Sequence, residues 1–430
     1  MPNQETLCFI RQHADADVRQ LALQGAKYPE VDMPYALQQI AGRQMAKTKL
    51  PAWAAMDDII YPPHLSMEQC SSEWAAKYKA SLAGKGRKLV DLTGGFGVDF
   101  AFMAEGFQQS VYIERQPQLC TISSENFKTL GLHAEVVCAD AIDYLHALTH
   151  ADLIFIDPAR RDAQGERTYG IADCTPNVLQ IMPLLTAKSD RLLLKLSPML
   201  DWRKAVADIE SAGANRVSAV HIVSVANECK ELLVLVEGLL EGRGERGEVR
   251  DMTGGRVGGQ GETGLKVVCV NLQPNGIDEI FEFCASSSNS ACSASSHISP
   301  LFPLTSPLYK SLLLPNASVM KAGCFDALVA RFGISQLSPN SHLFLADKSI
   351  KGFPGRQFSI IRTTSMNKRQ LKEALAGIDR ANIAVRNFPL TADELRKKLK
   401  MKDGGEVYIF GTTVAEKDHK LYICRKIEVV

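Results

Sequence analysis

Asp91, Glu114, Asp140 and Asp157 each stand at or just beyond the carboxyl end of a short apolar run. Directly after the first comes a turn with three glycines in five residues, Thr93-Gly94-Gly95-Phe96-Gly97. Carboxylates at consecutive strand ends can accept both hydroxyls of a ribose, accept a hydrogen bond from an exocyclic amine such as that of adenine, and face a cation. The glycines let the backbone take positive φ and come close to a ligand. The spacing argues against a pyrophosphate. A dinucleotide fingerprint needs a third glycine where Phe100 stands, and acids lie on both sides of the turn. An adenosine with a cationic tail suits four such acids better.

The elements that position these residues follow from the same stretch. Lys88–Leu92, Ser110–Glu114, Glu135–Cys138 and Asp152–Ile156 are predicted strands, and the glycine turn leads into a helix over Val98–Gly106. The second acid falls about twenty residues past the first, as a ribose-binding acid does. The fourth strand delivers Asp157-Pro158-Ala159-Arg160. A strand ending at Lys195, a helix over about 201–212 and a hairpin of two strands (about 216–225 and 231–236) complete an α/β sheet with an antiparallel edge.

Asp91-Leu92-Thr93-Gly94-Gly95-Phe96-Gly97, Glu114, Asp140-Ala141 and Asp157-Pro158-Ala159-Arg160 resemble motifs I to IV of the class I S-adenosylmethionine-dependent methyltransferases. Gly42-Arg43, Lys49-Leu50-Pro51, Glu68-Gln69-Cys70-Ser71-Ser72-Glu73, Lys195-Leu196-Ser197-Pro198 and Asn227-Glu228-Cys229-Lys230-Glu231 make the chain more narrowly similar to bacterial methyltransferases, provisionally assigned to RNA, that carry a C-terminal THUMP-like domain. The resemblance implies a Rossmann-like seven-stranded core with an N-terminal helical region and a C-terminal α+β THUMP-like domain. It also implies S-adenosylmethionine as cofactor, held by Asp91, Thr93, Gly94, Gly95, Gly97, Glu114, Asp140, Ala141 and Asp157. Asp157, Pro158 and Lys195 are the implied catalytic residues, and Arg160, Arg161 and Glu231 the substrate contacts. Ser72, Glu73 and Lys77 lie on the helix that borders the cofactor in this superfamily. The chain departs from the usual pattern at Thr93, where the first glycine of the turn is expected, so the turn need not have the standard shape.

Methyl transfer to nitrogen or oxygen needs alignment more than covalent help. Asp157 can accept hydrogen bonds from an amine or sit near a hydroxyl as it loses its proton, and Pro158 fixes the adjoining backbone. Arg160 stands where enzymes that methylate base amines usually carry an aromatic. Ser197 stands where some carbon methyltransferases carry a cysteine, which argues against carbon methylation. Lys77 or Lys79, then Asp157, Lys195 and Glu231, follow an order that resembles the tetrad of ribose 2′-O-methyltransferases. Structural ion pairs are the simpler account of those four.

With 430 residues, two or three domains are expected. The sequence divides into an N-terminal helical region (1–75), a methyltransferase domain (76–240), a flexible linker (241–264), a small ferredoxin-like unit (265–324) and a THUMP-like domain (325–430). Segment 238–264 is glycine-rich and 285–298 serine-rich, so both are expected as mobile loops. The net charge of +1 names no partner. From residue 347 onward, however, 18 Lys/Arg stand against 10 Asp/Glu, an excess of the kind that contacts phosphate. Arg43, Lys47 and Lys49 beside Trp53 form a second basic cluster, expected to be a solvated helix face. The 11 cysteines include no C-x-x-C pair, which points to a reducing, cytoplasmic setting without metal. No stretch is long enough to span a membrane.

The sequence reading is therefore a methyltransferase acting on RNA, tRNA or rRNA, at a base nitrogen or a ribose hydroxyl, with no obligate protein partner. The alternatives are a small-molecule or protein methyltransferase, and an inactive RNA-binding protein whose core senses the cofactor.

Overall fold

The computed structural model describes residues 2–159, 170–213, 216–237, 264–285, 310–414 and 418–427. The expected loops 238–264 and 285–298, and Arg160 and Arg161, fall largely or wholly outside these residues. The chain forms two compact units, Met1–His221 with Lys230–Leu265, and Ile222–Cys229 with Lys266–Val430.

The first unit opens with five helices: α1 (Gln4–Gln12), α2 (Val18–Leu23), α3 (Met33–Lys49), α4 (Pro51–Ala54) and α5 (His64–Gln69). Asn3, Asp17 and Asp32 cap the first three through side-chain oxygens. Phe9, Leu21, Ala36 and Ile40 join their faces. The helix α6 (Glu73–Ala83) is capped by Ser72 and leads into the sheet.

The strands are β1 (Gly86–Asp91), β2 (Phe107–Glu114), β3 (Glu135–Cys138), β4 (Ala151–Ile156), β5 (Ser189–Leu196), β6 (Val217–Val225) and β7 (Glu228–Glu237). The crossing helices are α7 (Val98–Ala104), α8 (Pro117–Thr129), α9 (Ala141–Ala147), α10 (Val178–Lys188) and α11 (Trp202–Ser211). The hydrogen-bonded order runs β3-β2-β1-β4-β5-β7-β6. All pairs from β3 to β5 are parallel, and β7 lies antiparallel to β5. Strand order reverses between β1 and β4, and ligands of such sheets bind beyond the carboxyl ends at that point. Leu89, Val90, Ile154, Phe155 and Ile156 are buried there, as both-faced cover of parallel strands requires.

The tip of the β6/β7 hairpin, residues 222–229, belongs to the second unit. There Ala226 N–H donates to the Leu272 carbonyl on β8 (Leu265–Leu272), which is followed by β9 (Glu279–Ala285). The expected count of seven strands is thus not exact, because among the described residues the sheet has nine. Asn227, at φ 66°, ties this region together. Its N–H donates to Asn271 Oδ1, and its own Oδ1 accepts the Ala317 N–H.

The remainder contains β10 (Ser311–Pro315), α12 (Ala317–Ala322), α13 (Phe325–Phe332), β11 (Ser335–Gln336), β12 (Phe344–Ala346) and β13 (Gly355–Ser365). It continues with α14 (Lys368–Ala374), β14 (Asn382–Arg386), α15 (Ala392–Leu399), β15 (Val407–Thr413) and β16 (His419–Lys426). Their sheet has the order β11-β12-β10-β13-β16-β15-β14. Only β14–β15 is parallel. Thr391 and Glu394 form a capping box at the start of α15. Leu312, Phe358, Phe410 and Tyr422 share one core, and Ile383, Leu395, Ile409 and Ile423 another.

Candidate active site

β1, β2 and β4 end in or lead directly into Asp91, Glu114 and Asp157, which places these acids at the carboxyl edge of the parallel sheet. The glycine turn follows β1, and its glycines have different jobs. A Cβ on Gly94 would lie 2.0 Å from the Tyr112 ring, and one on Gly97 2.7 Å from Phe127, so these two glycines serve packing. At Gly95, with φ +56°, an added Cβ would have only the Thr93 carbonyl oxygen within 4 Å, at 3.9 Å. The backbone is open at this position alone in the turn.

Glu114 uses one oxygen for the Gly95 N–H and the other for the Gln116 N–H, each at 2.9 Å. A carboxylate oxygen has two acceptor sites, so each oxygen retains one. Asp140 is the N-cap of α9, with Ala141 as the first helical residue. Its Oδ1 accepts the Ile142 N–H at 2.8 Å and the Asp143 N–H at 3.4 Å. The departure at Thr93 has a physical reason: its Oγ1 accepts the Asp157 N–H at 2.6 Å. A hydroxyl thus joins the end of β1 to the end of β4, which glycine could not do. Thr93→Val is expected to leave that N–H unpartnered and to cost about 1–3 kcal/mol in urea unfolding, while Thr93→Ser retains most of the stability.

Asp91 is 1% exposed and accepts one hydrogen bond, from the Thr93 N–H. Burial pushes its carboxyl well above the ordinary range. The Thr93 bond opposes this, and the Asp99, Asp157 and Glu114 carboxylates add to the rise. Since the folded-state pKa exceeds the unfolded one, Asp91's contribution to stability is complete below about 3.9 and lost as pH rises through the raised value. A cation among these acids would reverse the shift and release a proton. Affinity for a sulfonium nucleoside should therefore climb with pH until Asp91 is ionised in the free protein, and the neutral thioether analogue should show no such climb. Calorimetry of both ligands across pH measures this, and Asp91→Asn should flatten the difference.

The remaining charges form one buried chain. Lys79, 0% exposed, lies 2.6 and 2.8 Å from the two oxygens of Glu231, 3.1 Å from Ser71 Oγ and 3.2 Å from Asp99 Oδ1. Ser71 Oγ donates to Asp99 Oδ2 at 2.8 Å. Lys195 Nζ reaches Asp99 Oδ2 at 3.2 Å and Asp157 Oδ2 at 2.6 Å. Burial pushes Asp99 up, but Lys79 and Lys195 together hold it below the ordinary carboxylate range. Burial also opposes the charge on Lys195, yet Asp157, then Asp99 and Glu231, hold it well above the ordinary lysine range. Lys195 thus stays an ammonium ion at neutral pH.

The structure brings Lys79, Asp157, Lys195 and Glu231 together and decides between the two candidate lysines. Lys77 instead pairs with Glu73 at 2.6 Å, and Glu73 also accepts the Ala52 N–H. Ser72, Glu73 and Lys77 are bound up in the helix and its N-terminal neighbours. The sequence reading passed over Asp99, the centre of the chain of charges. An acid in the first turn of the helix after a glycine turn was the available signal, since a helix N-terminus favours negative charge there. Ser71 enters the sequence analysis only as part of the stretch Glu68 to Glu73. The basic cluster is engaged as a structural face would be: Arg43 bonds Asp57, Lys47 bonds Asp15, and Lys49 donates to the Met67 and Glu68 carbonyls.

A parallel sheet with a glycine turn after β1, an acid with spare acceptor sites at the end of β2 and acids flanking the switch point fits a nucleoside-binding α/β enzyme. Comparison with known proteins narrows this. A family described as THUMP domain-like matches residues 355–426, and one described as a ferredoxin-like domain matches 312–354. A provisionally named methyltransferase from Porphyromonas gingivalis W83, known as a crystal structure, superposes with a TM-score of 0.78 at 30% identity, with 100% of both chains covered. Two uncharacterised S-adenosylmethionine-dependent methyltransferases of Mycobacterium tuberculosis, from strains CDC 1551/Oshkosh and ATCC 25618/H37Rv, are each 23% identical over 367 residues. That alignment spans 84% of this chain and 87% of theirs. The chain belongs to the class I S-adenosylmethionine-dependent methyltransferases that carry a C-terminal THUMP-like domain, and S-adenosylmethionine is its cofactor. The site suits that group: the open backbone at Gly95, the spare acceptor sites of Glu114 and the cluster of carboxyl groups around Asp91 match a nucleoside carrying a sulfonium.

Proposed function

We propose that the protein methylates a nucleobase nitrogen in RNA, tRNA or rRNA. The observation that carries the reading is Asp157, partly exposed just past β4, with its carboxylate held at 2.6 Å by a lysine that stays charged. Gly95 and Glu114 hold the nucleoside of the cofactor, with Asp140 at the adenine end and Asp91 and Asp157 facing the cation. Bound S-adenosylmethionine supplies an already activated methyl group, so the protein's task is alignment and exclusion of water.

Asp157 accepts a hydrogen bond from the acceptor N–H and orients its lone pair. Lys195, tied to both Asp157 and Asp99, fixes that carboxylate's direction. A ribose hydroxyl would need a base, and a lysine held above its ordinary range is a poor one, which favours nitrogen over the ribose. The THUMP-like match and the basic excess after residue 347 support RNA as the acceptor. A cytoplasmic setting agrees with a cysteine set that includes no C-x-x-C pair. Among the described residues no helix is long and apolar enough to cross a membrane.

The test is total RNA from a strain lacking the protein, incubated with enzyme and labelled cofactor, then nucleoside mass spectrometry. A methylated base supports the reading. Cofactor binding without incorporation would favour a sensing core, and full turnover on another substrate after deletion of 325–430 would favour a small-molecule or protein acceptor. Alkaline cleavage beside the labelled nucleotide rules out ribose methylation.

A further inference from the structure

We infer that the second unit carries a slot for one unpaired nucleobase of an RNA strand, in the concavity lined by Phe388 and His419. The inference deepens the RNA reading above and rests on it. Thr413 and His419 are the last register pair of the β15/β16 hairpin. Thr413 donates its single hydroxyl hydrogen to the Asn387 carbonyl at 2.6 Å. The His419 Nδ1 lies 3.0 Å from the same hydroxyl oxygen, which has no hydrogen left to give. Nδ1 must therefore carry the proton and donate. In the neutral ring this leaves Nε2 as a bare acceptor, with no partner among the described residues.

The Phe388 ring packs edge to face against the His419 ring, with centroids 5.6 Å apart and planes at 72°. Both rings, with Asn340 and Asn387, line a concavity of about 560 Å³, within the roughly 300–1,000 Å³ usual for ligand sites. A half-buried aromatic face, an unspent imidazole acceptor and two carboxamides that can both donate and accept suit a flat heterocycle with an N–H on its edge. Every nucleobase has such a face and such an edge. The excess of Lys and Arg over Asp and Glu after residue 347 favours a base attached to phosphates over a free one.

The test uses the full-length protein and a labelled single-stranded oligoribonucleotide of about 12 nucleotides, within the range of strand-binding modules, read by fluorescence anisotropy beside the same sequence as a duplex. Phe388→Ala should weaken single-strand binding about 5- to 100-fold, the range for loss of one stacked base, and leave duplex binding unchanged. Phe388 also touches a core. His419→Phe, which keeps the ring and removes the acceptor, therefore serves as the second variant, with thermal unfolding as the control for both. Weakened single-strand binding by correctly folded His419→Phe supports the slot. Wild-type affinity in both variants overturns the slot and leaves the RNA reading standing. Failure of the wild-type protein to bind any RNA removes the RNA reading and the slot with it. Loss of adenosine monophosphate binding without loss of strand binding overturns the slot in favour of a free-nucleotide site.

Discussion

Lys79→Met is expected to remove roughly 3–5 kcal/mol of folding stability, the cost of breaking a buried ion pair from one side. Lys79 has no exposed surface, and its ammonium is the only cation within ion-pairing distance of Glu231 among the described residues. Removal leaves Glu231, 3% exposed, without a counter-ion, and Asp99 keeps Lys195 and the Ser71 hydroxyl. The neighbouring Lys77→Met provides the scale. Its pair with Glu73 has a lysine side chain 53% exposed, so its loss should cost at most about 1 kcal/mol. Lys79→Met combined with Glu231→Leu should recover much of the loss, since an apolar pair avoids the buried lone charge. All three tryptophans, Trp53, Trp74 and Trp202, belong to the first unit, so urea unfolding followed by tryptophan fluorescence reports that unit by itself. Equal midpoints for Lys79→Met and Lys77→Met would show that the buried chain of charges contributes no stability.

The sequence left Lys77 and Lys79 open, although helical geometry distinguishes them. At 100° per residue they point about 200° apart, so only one can face the sheet. Ala76, Lys79 and Ala83 share the i, i+3, i+7 stripe, and all three are buried. A lysine on an apolar stripe implies a buried partner, but the partner, Glu231, lies 152 residues away, and single-sequence spacing does not carry that distance. The strand-end acids were legible for the opposite reason: both-faced burial makes parallel strands continuous apolar runs, and a carboxylate ends such a run abruptly. Thr93 looked like a defect in the glycine turn because its purpose is a bond to the backbone 64 residues on. In the second unit the domain after residue 325 and its basic excess are legible in the sequence, whereas α12, α13 and β10 to β12 are not. The shortest of them, β11 and β12, run for 2 and 3 residues, less than a strand pattern needs to show.

Asp157→Asn is expected to lower the rate of methyl transfer by about 10²- to 10⁴-fold, the usual contribution of a positioned acid–base group. Cofactor affinity should fall by no more than about tenfold, because Glu114 and the Gly95 backbone still hold the nucleoside and Asp91 still faces the cation. The carboxamide keeps the shape and the backbone bond to Thr93. It can turn only one oxygen toward either the acceptor or Lys195, and it carries no charge to hold the ammonium. Lys195 then has Asp99 as its remaining partner and should swing toward it, which leaves the acceptor unoriented. Lys195→Met tests the same link from the other side. If Lys195 acts by aiming Asp157, its loss should lower the single-turnover rate without removing cofactor binding, and Lys195→Arg, which keeps the charge, should restore part of it. Were Lys195 instead the base for a hydroxyl, arginine would fail as completely as methionine, since a guanidinium does not give up its proton. Single-turnover transfer to RNA from a strain lacking the protein, set beside calorimetric cofactor binding for each variant, separates these outcomes. An Asp157→Asn protein that transfers methyl within threefold of wild type would place the reacting centre elsewhere than the end of β4.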